Sequence, residues 1–144
     1  MKIIAPATLH TTKHWAPISS LTLPAPHFSY SPVVRAGGFV FVSGLVGLDP
    51  RSGCLIEGGM EAEARQILQN LERLSVELGL GLDPLMLVRI YCTDFSRFGE
   101  INHVWETFYK NRTPPARTSV GATALPLGAL VEMEFQFVID PSLP

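Results

Sequence analysis

The stretch PPARTSVGATALPLGALVEMEF, residues 114–135, sets one arginine, two hydroxyls and two glutamates among otherwise apolar neighbours. Arg117 carries a guanidinium that stays charged at any working pH and presents a planar fork to a carboxylate. Pro114 and Pro115 fix the backbone just ahead of it, which suits holding that fork in one place for bidentate capture. Thr118 and Ser119 add hydroxyls beside it. In LVEMEFQFVID a period of two sends Val131, Met133, Phe135, Phe137 and Ile139 to one face of a strand, and Glu132, Glu134, Gln136 and Val138 to the other. Two unpaired carboxylates facing a dry core would be costly, so the second face must meet water, a cation or a ligand. Two plainer readings stand beside the anion site: Arg117 as a surface cation on an edge strand, or as a structural partner of Glu132.

The elements that must position these groups follow from pattern. HFSYSPVVRAGGFVFVSGLVGLD reads as two strands, about 28–35 and 38–44, joined at Gly37-Gly38, and DPRSG at 49–53 has the chemistry of a second turn. Met60, Ala64, Ile67, Leu68, Leu71, Leu74 and Leu78 draw one apolar stripe along a helix that Gly79 and Gly81 stop. LMLVRIYCTD, nearly continuous in apolar character, reads as a central strand. Ser96 is placed to cap a second helix, RFGEINHVWETFYKN, with Phe98, Ile101, Trp105 and Phe108 on its buried face and Glu100, His103 and Glu106 elsewhere. Strands at about 116–122 and 129–139 follow, linked by ALPLG. The order ββ-α-β-α-ββ makes one α+β domain, residues 28–144, with both helices on one face of a mixed sheet. Residues 1–27, with Pro6, Pro17, Pro24 and Pro26 and no sustained period, read as an arm that lies over the domain or is partly loose.

Composition narrows the function. Only 17% of the 144 residues are charged and 47% are hydrophobic, against about 25% charged in an average soluble domain. That excess of apolar surface suggests a homo-oligomer. A net charge of −2 without a Lys/Arg cluster gives no reason to expect nucleic acid. No window approaches the roughly 18 apolar residues of a membrane span, and the N-terminus lacks a signal-peptide core, so a cytoplasmic protein is expected. Cys54 and Cys92 stand in unrelated contexts and read as free thiols, Cys92 as a small buried hydrophobe. His10, His14 and His27 are scattered along the arm and His103 faces solvent, so no metal site is expected. Gly37-Gly38 is a turn and not a phosphate loop, because no helix start follows it.

FVFVSGLVGLDPRSG, QNLERLSVELG, VRIYCTDFSRFGEINHVWETFY and above all PPART followed by ALPLGALVEME resemble the YjgF/RidA family of reactive-intermediate deaminases, over roughly residues 28–139. The resemblance implies a chorismate-mutase-like fold, a homotrimer with its sheets packed around the threefold axis, and a cleft between each pair of subunits. It also implies hydrolysis of 2-imino or enamine carboxylates to 2-oxo acids and ammonia, without metal or cofactor. By the same resemblance Arg117 grips the substrate carboxylate and Glu132 positions or activates water. Ser119 stands near the reacting group, Tyr30 closes the pocket, Gly44 lines its floor, and Asn102 and Trp105 contribute from the second helix. Three positions depart from the family pattern. Leu45 stands where many members have glutamine, Pro32-Val33 changes the early strand, and Gly121 replaces a frequent glutamate. These make the pocket more apolar and roomier. The alternatives are a non-catalytic module that binds a 2-oxo acid or similar carboxylate in the same cleft, and an interaction or chaperone-like protein whose apolar surface is the function.

Overall fold

The computed structural model describes residues 13–142. The chain runs β1 (Ala16–Pro17), β2 (Val33–Ala36), β3 (Phe39–Leu45), α1 (Gly59–Glu77), β4 (Leu85–Cys92), α2 (Phe98–Phe108), β5 (Ala116–Gly121) and β6 (Val131–Val138). The strands form one sheet in the order β1-β2-β3-β6-β4-β5. Among the described residues only β4 and β5 pair in parallel, α2 being their crossover; every other neighbour is antiparallel. The expected α+β domain with a mixed sheet and two helices on one face is the one found, with β1 added from the arm.

The period of two in β6 is realised: Val131, Met133, Phe135 and Phe137 are buried under the helices, and Glu132, Glu134 and Gln136 are half-exposed on the open face. Met60, Ala64, Ile67, Leu68, Leu71 and Leu74 of α1 pack against them, each large side chain contributing roughly 1.5–3 kcal/mol by leaving water. Gly79, at φ 70, ends the helix as its composition requires. Three expectations are corrected. Residues 28–32 are not strand, because Pro32 can donate nothing to a ladder. Asp94, not Ser96, caps the approach to α2: its carboxylate accepts from the Ser96 amide and opens a 3₁₀ turn over Phe95–Arg97. The buried face of α2 is Ile101, Val104 and Trp105, with Phe98 and Phe108 only partly covered. In addition β4 is covered on one side only, with Met86 and Arg89 exposed on the other, so its apolar run is not that of a strand buried on both faces.

Three polar side chains lie inside the apolar stripe of α1, and two of them fasten loops. Glu63 accepts hydrogen bonds from the amides of Leu130 and Val131 at 2.8 and 3.2 Å, which sets the start of β6. Asn70 donates to the Leu48 carbonyl at 2.8 Å and accepts from Gln66 Nε2 at 2.8 Å. The segment after β3 passes so close to α1 that a Cβ at Gly47 would stand 2.9 Å from Glu63 Cα and 3.0 Å from its carbonyl oxygen. Backbone cannot step aside as a side-chain tip can, so Gly47→Ala is expected to destabilise the fold by about 1–3 kcal/mol. Thermal unfolding would show a fall in Tm of roughly 3–10 °C.

Residues 13–27 of the arm lie against the domain, and residues 1–12, His10 among them, fall outside the described residues. β1 pairs with β2, Leu23 joins the core, and Glu77 at the end of α1 holds the chain between them. Its carboxylate accepts from Ser20 Oγ at 2.7 Å, the Leu21 amide at 2.5 Å and the Thr22 amide at 3.2 Å. Burial opposes ionisation of Glu77, but bonds from Thr22, Leu21 and Ser20 outweigh it and lower the carboxyl from 4.5 to about 2. A carboxyl depressed in the folded state stabilises above its unfolded value and loses that contribution as pH falls through the folded one. The Tm advantage of the natural chain over Glu77→Gln should therefore be full above pH 4.5 and vanish toward pH 2.

Candidate active site

Arg117 leaves β5 at the sheet edge beside α2. Its Nη1 donates to Asn102 Oδ1 at 3.0 Å, and its guanidinium carbon lies 5.0 Å from the Trp105 ring centre and 5.5 Å from that of Phe98. Both rings attract a cation through their negative faces. Asn102 takes one donor and the rings orient the plane, so the remaining N–H groups of an exposed guanidinium are left for an anion. Ser119, two residues along β5 and half-buried, projects to the same side. The helix therefore acts as a platform: Phe98, Asn102 and Trp105 recur at spacings of four and three and meet one side chain of the neighbouring strand.

Glu132 sits elsewhere. Through the sheet register Tyr91 of β4 lies opposite both Glu132 and Val120, whereas Val88 lies opposite both Phe135 and Arg117. Directly opposed residues share a face, so Arg117 belongs to the helix-covered face and Glu132 to the open one. The reading of Arg117 as a structural partner of Glu132 is thereby excluded within one chain. The two glutamates differ in kind. Glu134 accepts a 2.6 Å hydrogen bond from Tyr91 Oη and lies 3.5 Å from Arg89 Nη1. Glu132 has no such bond among the described residues: partial burial, then the nearby Glu134 charge, raise its carboxyl from the ordinary value.

Between Val42 and Leu45 the β3–β6 ladder slips, with Ser43 and Gly44 set against the single residue Glu134. The bulge and the missing side chain at Gly44 let the Glu132 carboxylate lie on the β3 backbone, where a Cβ would come within 2.7 Å of Glu132 Cδ. Glu132 and Gly44 line a cavity of about 340 Å³, together with Tyr30, Phe28, Leu45 and Leu127. Among the described residues no three His, Cys, Asp or Glu side chains converge as a metal site requires.

One chain thus gathers the expected residues into two groups: Arg117, Asn102, Trp105 and Ser119 at the β5 edge, and Glu132, Gly44 and Tyr30 at the cavity. Four contributors were not singled out by sequence. Phe98 was read as core only. Phe28 lines the cavity from what was read as strand. Glu63 and Asn70 were passed over although they interrupt the α1 stripe seven residues apart, a spacing that puts both on one face. His27, read as a scattered arm residue, lines the cavity. His103 is exposed and Cys92 buried, as expected. No helix of the described residues is long and apolar enough to cross a membrane.

The sheet order and the pair of helices on one face define an α+β domain of the chorismate-mutase-like type. Residues 21–139 match the family described as Endoribonuclease L-PSP. A RutC family protein of Aquifex aeolicus is 40% identical over 112 residues, covering 77% of this chain and 89% of its own. The 2-iminobutanoate/2-iminopropanoate deaminase of Mus musculus is 35% identical over 124 residues, covering 86% and 91%. Among solved structures, E. coli TdcF with bound serine superposes with a TM-score of 0.79 at 27% identity, covering 85% of this chain and 98% of that one. The chain belongs to the YjgF/RidA family, also called RutC or endoribonuclease L-PSP.

Proposed function

We propose that this protein hydrolyses reactive 2-imino or enamine carboxylates to 2-oxo acids and ammonia, in a cleft shared by two copies of the chain. One observation carries the reading: an arginine poised for an anion and an unpaired carboxyl in a cavity lie on opposite faces of the same sheet. A site that uses both must draw Arg117 from one copy and Glu132 from the next. The open face supports packing between copies, because Phe39, Phe41, Val120 and Val138 stand there between 38% and 42% exposed. A homotrimer closes such a ring of heterologous contacts, and light scattering should return three times the chain mass.

In that cleft the free N–H groups of Arg117 take the substrate carboxylate and fix the imine carbon. Glu132 accepts a proton from water as its oxygen adds to that carbon, and the C=N π pair moves to nitrogen. The carboxyl returns that proton to nitrogen, giving a carbinolamine. The carboxylate then takes the hydroxyl proton and passes it to nitrogen as the C–N bond breaks, so that ammonia leaves with the bonding pair and the oxygen lone pair forms the carbonyl. A carboxyl raised from its ordinary value is closer to the working pH for these transfers. Ser119 lies near the reacting group, and Tyr30 covers the entrance. The named deaminase of mouse is consistent with this chemistry. Ammonia release from 2-iminobutanoate and 2-iminopropanoate, generated in situ, tests the proposal: acceleration over the buffer rate is expected, and its absence for every imino acid offered would overturn it. A second reading, capture of a carboxylate without turnover, is favoured by the serine bound in the E. coli TdcF structure. Saturable 2-oxo-acid binding by a protein that turns over no imine would select it.

A further inference from the structure

Resting on that reading of the site, we infer that the cavity beside Glu132 receives a bulky apolar side chain of the imino acid, branched or aromatic, in preference to the methyl or ethyl group of the smallest substrates. Its volume of about 340 Å³ equals that of roughly ten waters of bulk liquid, far more than a methyl group fills. Its walls are largely apolar: Leu23 and Pro24 from the arm, Phe28 just after it, Leu45 and Val46 after the bulge, and Leu127 from the turn before β6, with the His27 ring and the Tyr30 hydroxyl as polar exceptions. Two polar groups in the lining are engaged elsewhere. Ser43 Oγ donates to the Ser31 carbonyl at 2.8 Å, and the Asn70 amide is taken up by Leu48 and Gln66. Glu132 stands at this wall, so a carbon held for attack there directs its substituent into the apolar space.

Two features show that the wall is held in place. Glu77 pins Ser20, Leu21 and Thr22, immediately before Leu23, Pro24 and Ala25 of the lining. Leu127 holds φ 60 and ψ 19, a left-handed conformation that leucine rarely adopts, in the turn that carries its side chain to the cavity. Glycine would be the relaxed choice at that backbone. The strain thus accompanies a residue that closes the cavity.

The test compares kcat/KM for imino acids generated in situ by an amino-acid oxidase from alanine, 2-aminobutyrate, leucine and phenylalanine, and in parallel titrates pyruvate against 4-methyl-2-oxopentanoate. A preference of at least about tenfold for the leucine- or phenylalanine-derived imine is expected, since single methylenes in apolar pockets discriminate on that scale. Turnover without size preference, or with preference for the smallest imine, overturns the inference and leaves the deaminase reading intact. No turnover with tenfold tighter binding of the larger oxo acid overturns the deaminase reading and upholds the cavity. No turnover with equal binding overturns both. Leu127→Gly relieves the backbone and removes a wall, so the preference should drop several-fold at an unchanged or higher Tm, and Phe28→Ala should lower it likewise. A preference that survives both substitutions is not read by this cavity and overturns the inference.

Discussion

Arg117→Ala is expected to lower kcat/KM for imine hydrolysis by about 10²–10⁴-fold, since losing one partner of a desolvated charge pair costs roughly 3–5 kcal/mol. The fold should survive, because Arg117 is exposed and its structural ties among the described residues are one bond to Asn102 and two ring contacts. Arg117→Lys should recover little: a lysine offers a point charge and no second parallel donor once Asn102 has taken one. The decisive form of the experiment mixes chains. Arg117→Ala and Glu132→Gln are each expected to be nearly inactive alone. After co-refolding at equal amounts, roughly a quarter of the sites should combine an intact arginine from one copy with an intact glutamate from the next. Recovered activity near that fraction supports the shared cleft. No recovery, with trimers formed, would place both residues' roles within one chain, against the register that puts them on opposite faces.

Much of this arrangement was legible because two periods dominate it. The alternation in LVEMEFQFVID separated the core face of β6 from the face bearing Glu132, and the stripe from Met60 to Leu74 placed α1. Periodicity assigns a residue to a face, however, and not that face to a neighbour. It therefore left open whether Arg117 and Glu132 meet; the answer needed the parallel β4–β5 pairing, which joins segments about 30 residues apart across a helix. The two glutamates of β6 look alike in sequence, yet Tyr91, directly opposite Glu132 in the register, bonds diagonally to Glu134 and leaves Glu132 without that bond. Asp94 was missed as a cap since Ser96, two residues on, has the same propensity. The cavity was the least legible part, because its lining is drawn from the arm, the bulge after Val42 and the turn at Leu127, none of which has a period.

Gly44→Ala should abolish most of the activity while leaving the protein folded. Gly44 does not sit in the left-handed region, so alanine suits its backbone. The added Cβ would instead collide with the Glu132 side chain, 2.7 Å from Cδ and 3.0 Å from Cγ. The end of a glutamate is flexible, and it yields where the backbone met by a Cβ at Gly47 cannot. The predicted contrast is therefore sharp: Gly47→Ala loses Tm and keeps its rate per folded molecule, whereas Gly44→Ala keeps Tm within a few degrees and loses kcat. A displacement of about 1 Å in a catalytic group costs on the order of 10²-fold. The pH profile separates displacement from simple blockage. The Glu132 carboxyl is raised from its ordinary value, first by partial burial and then by the nearby Glu134 charge, so the acid limb of kcat in the natural chain should lie above the ordinary carboxylate value. Swung out toward water, the same carboxyl loses its desolvation and its pKa falls, and the acid limb of the residual activity should move to lower pH. An unmoved limb with the rate reduced would mean that Glu132 had stayed in place and that alanine had obstructed the substrate instead.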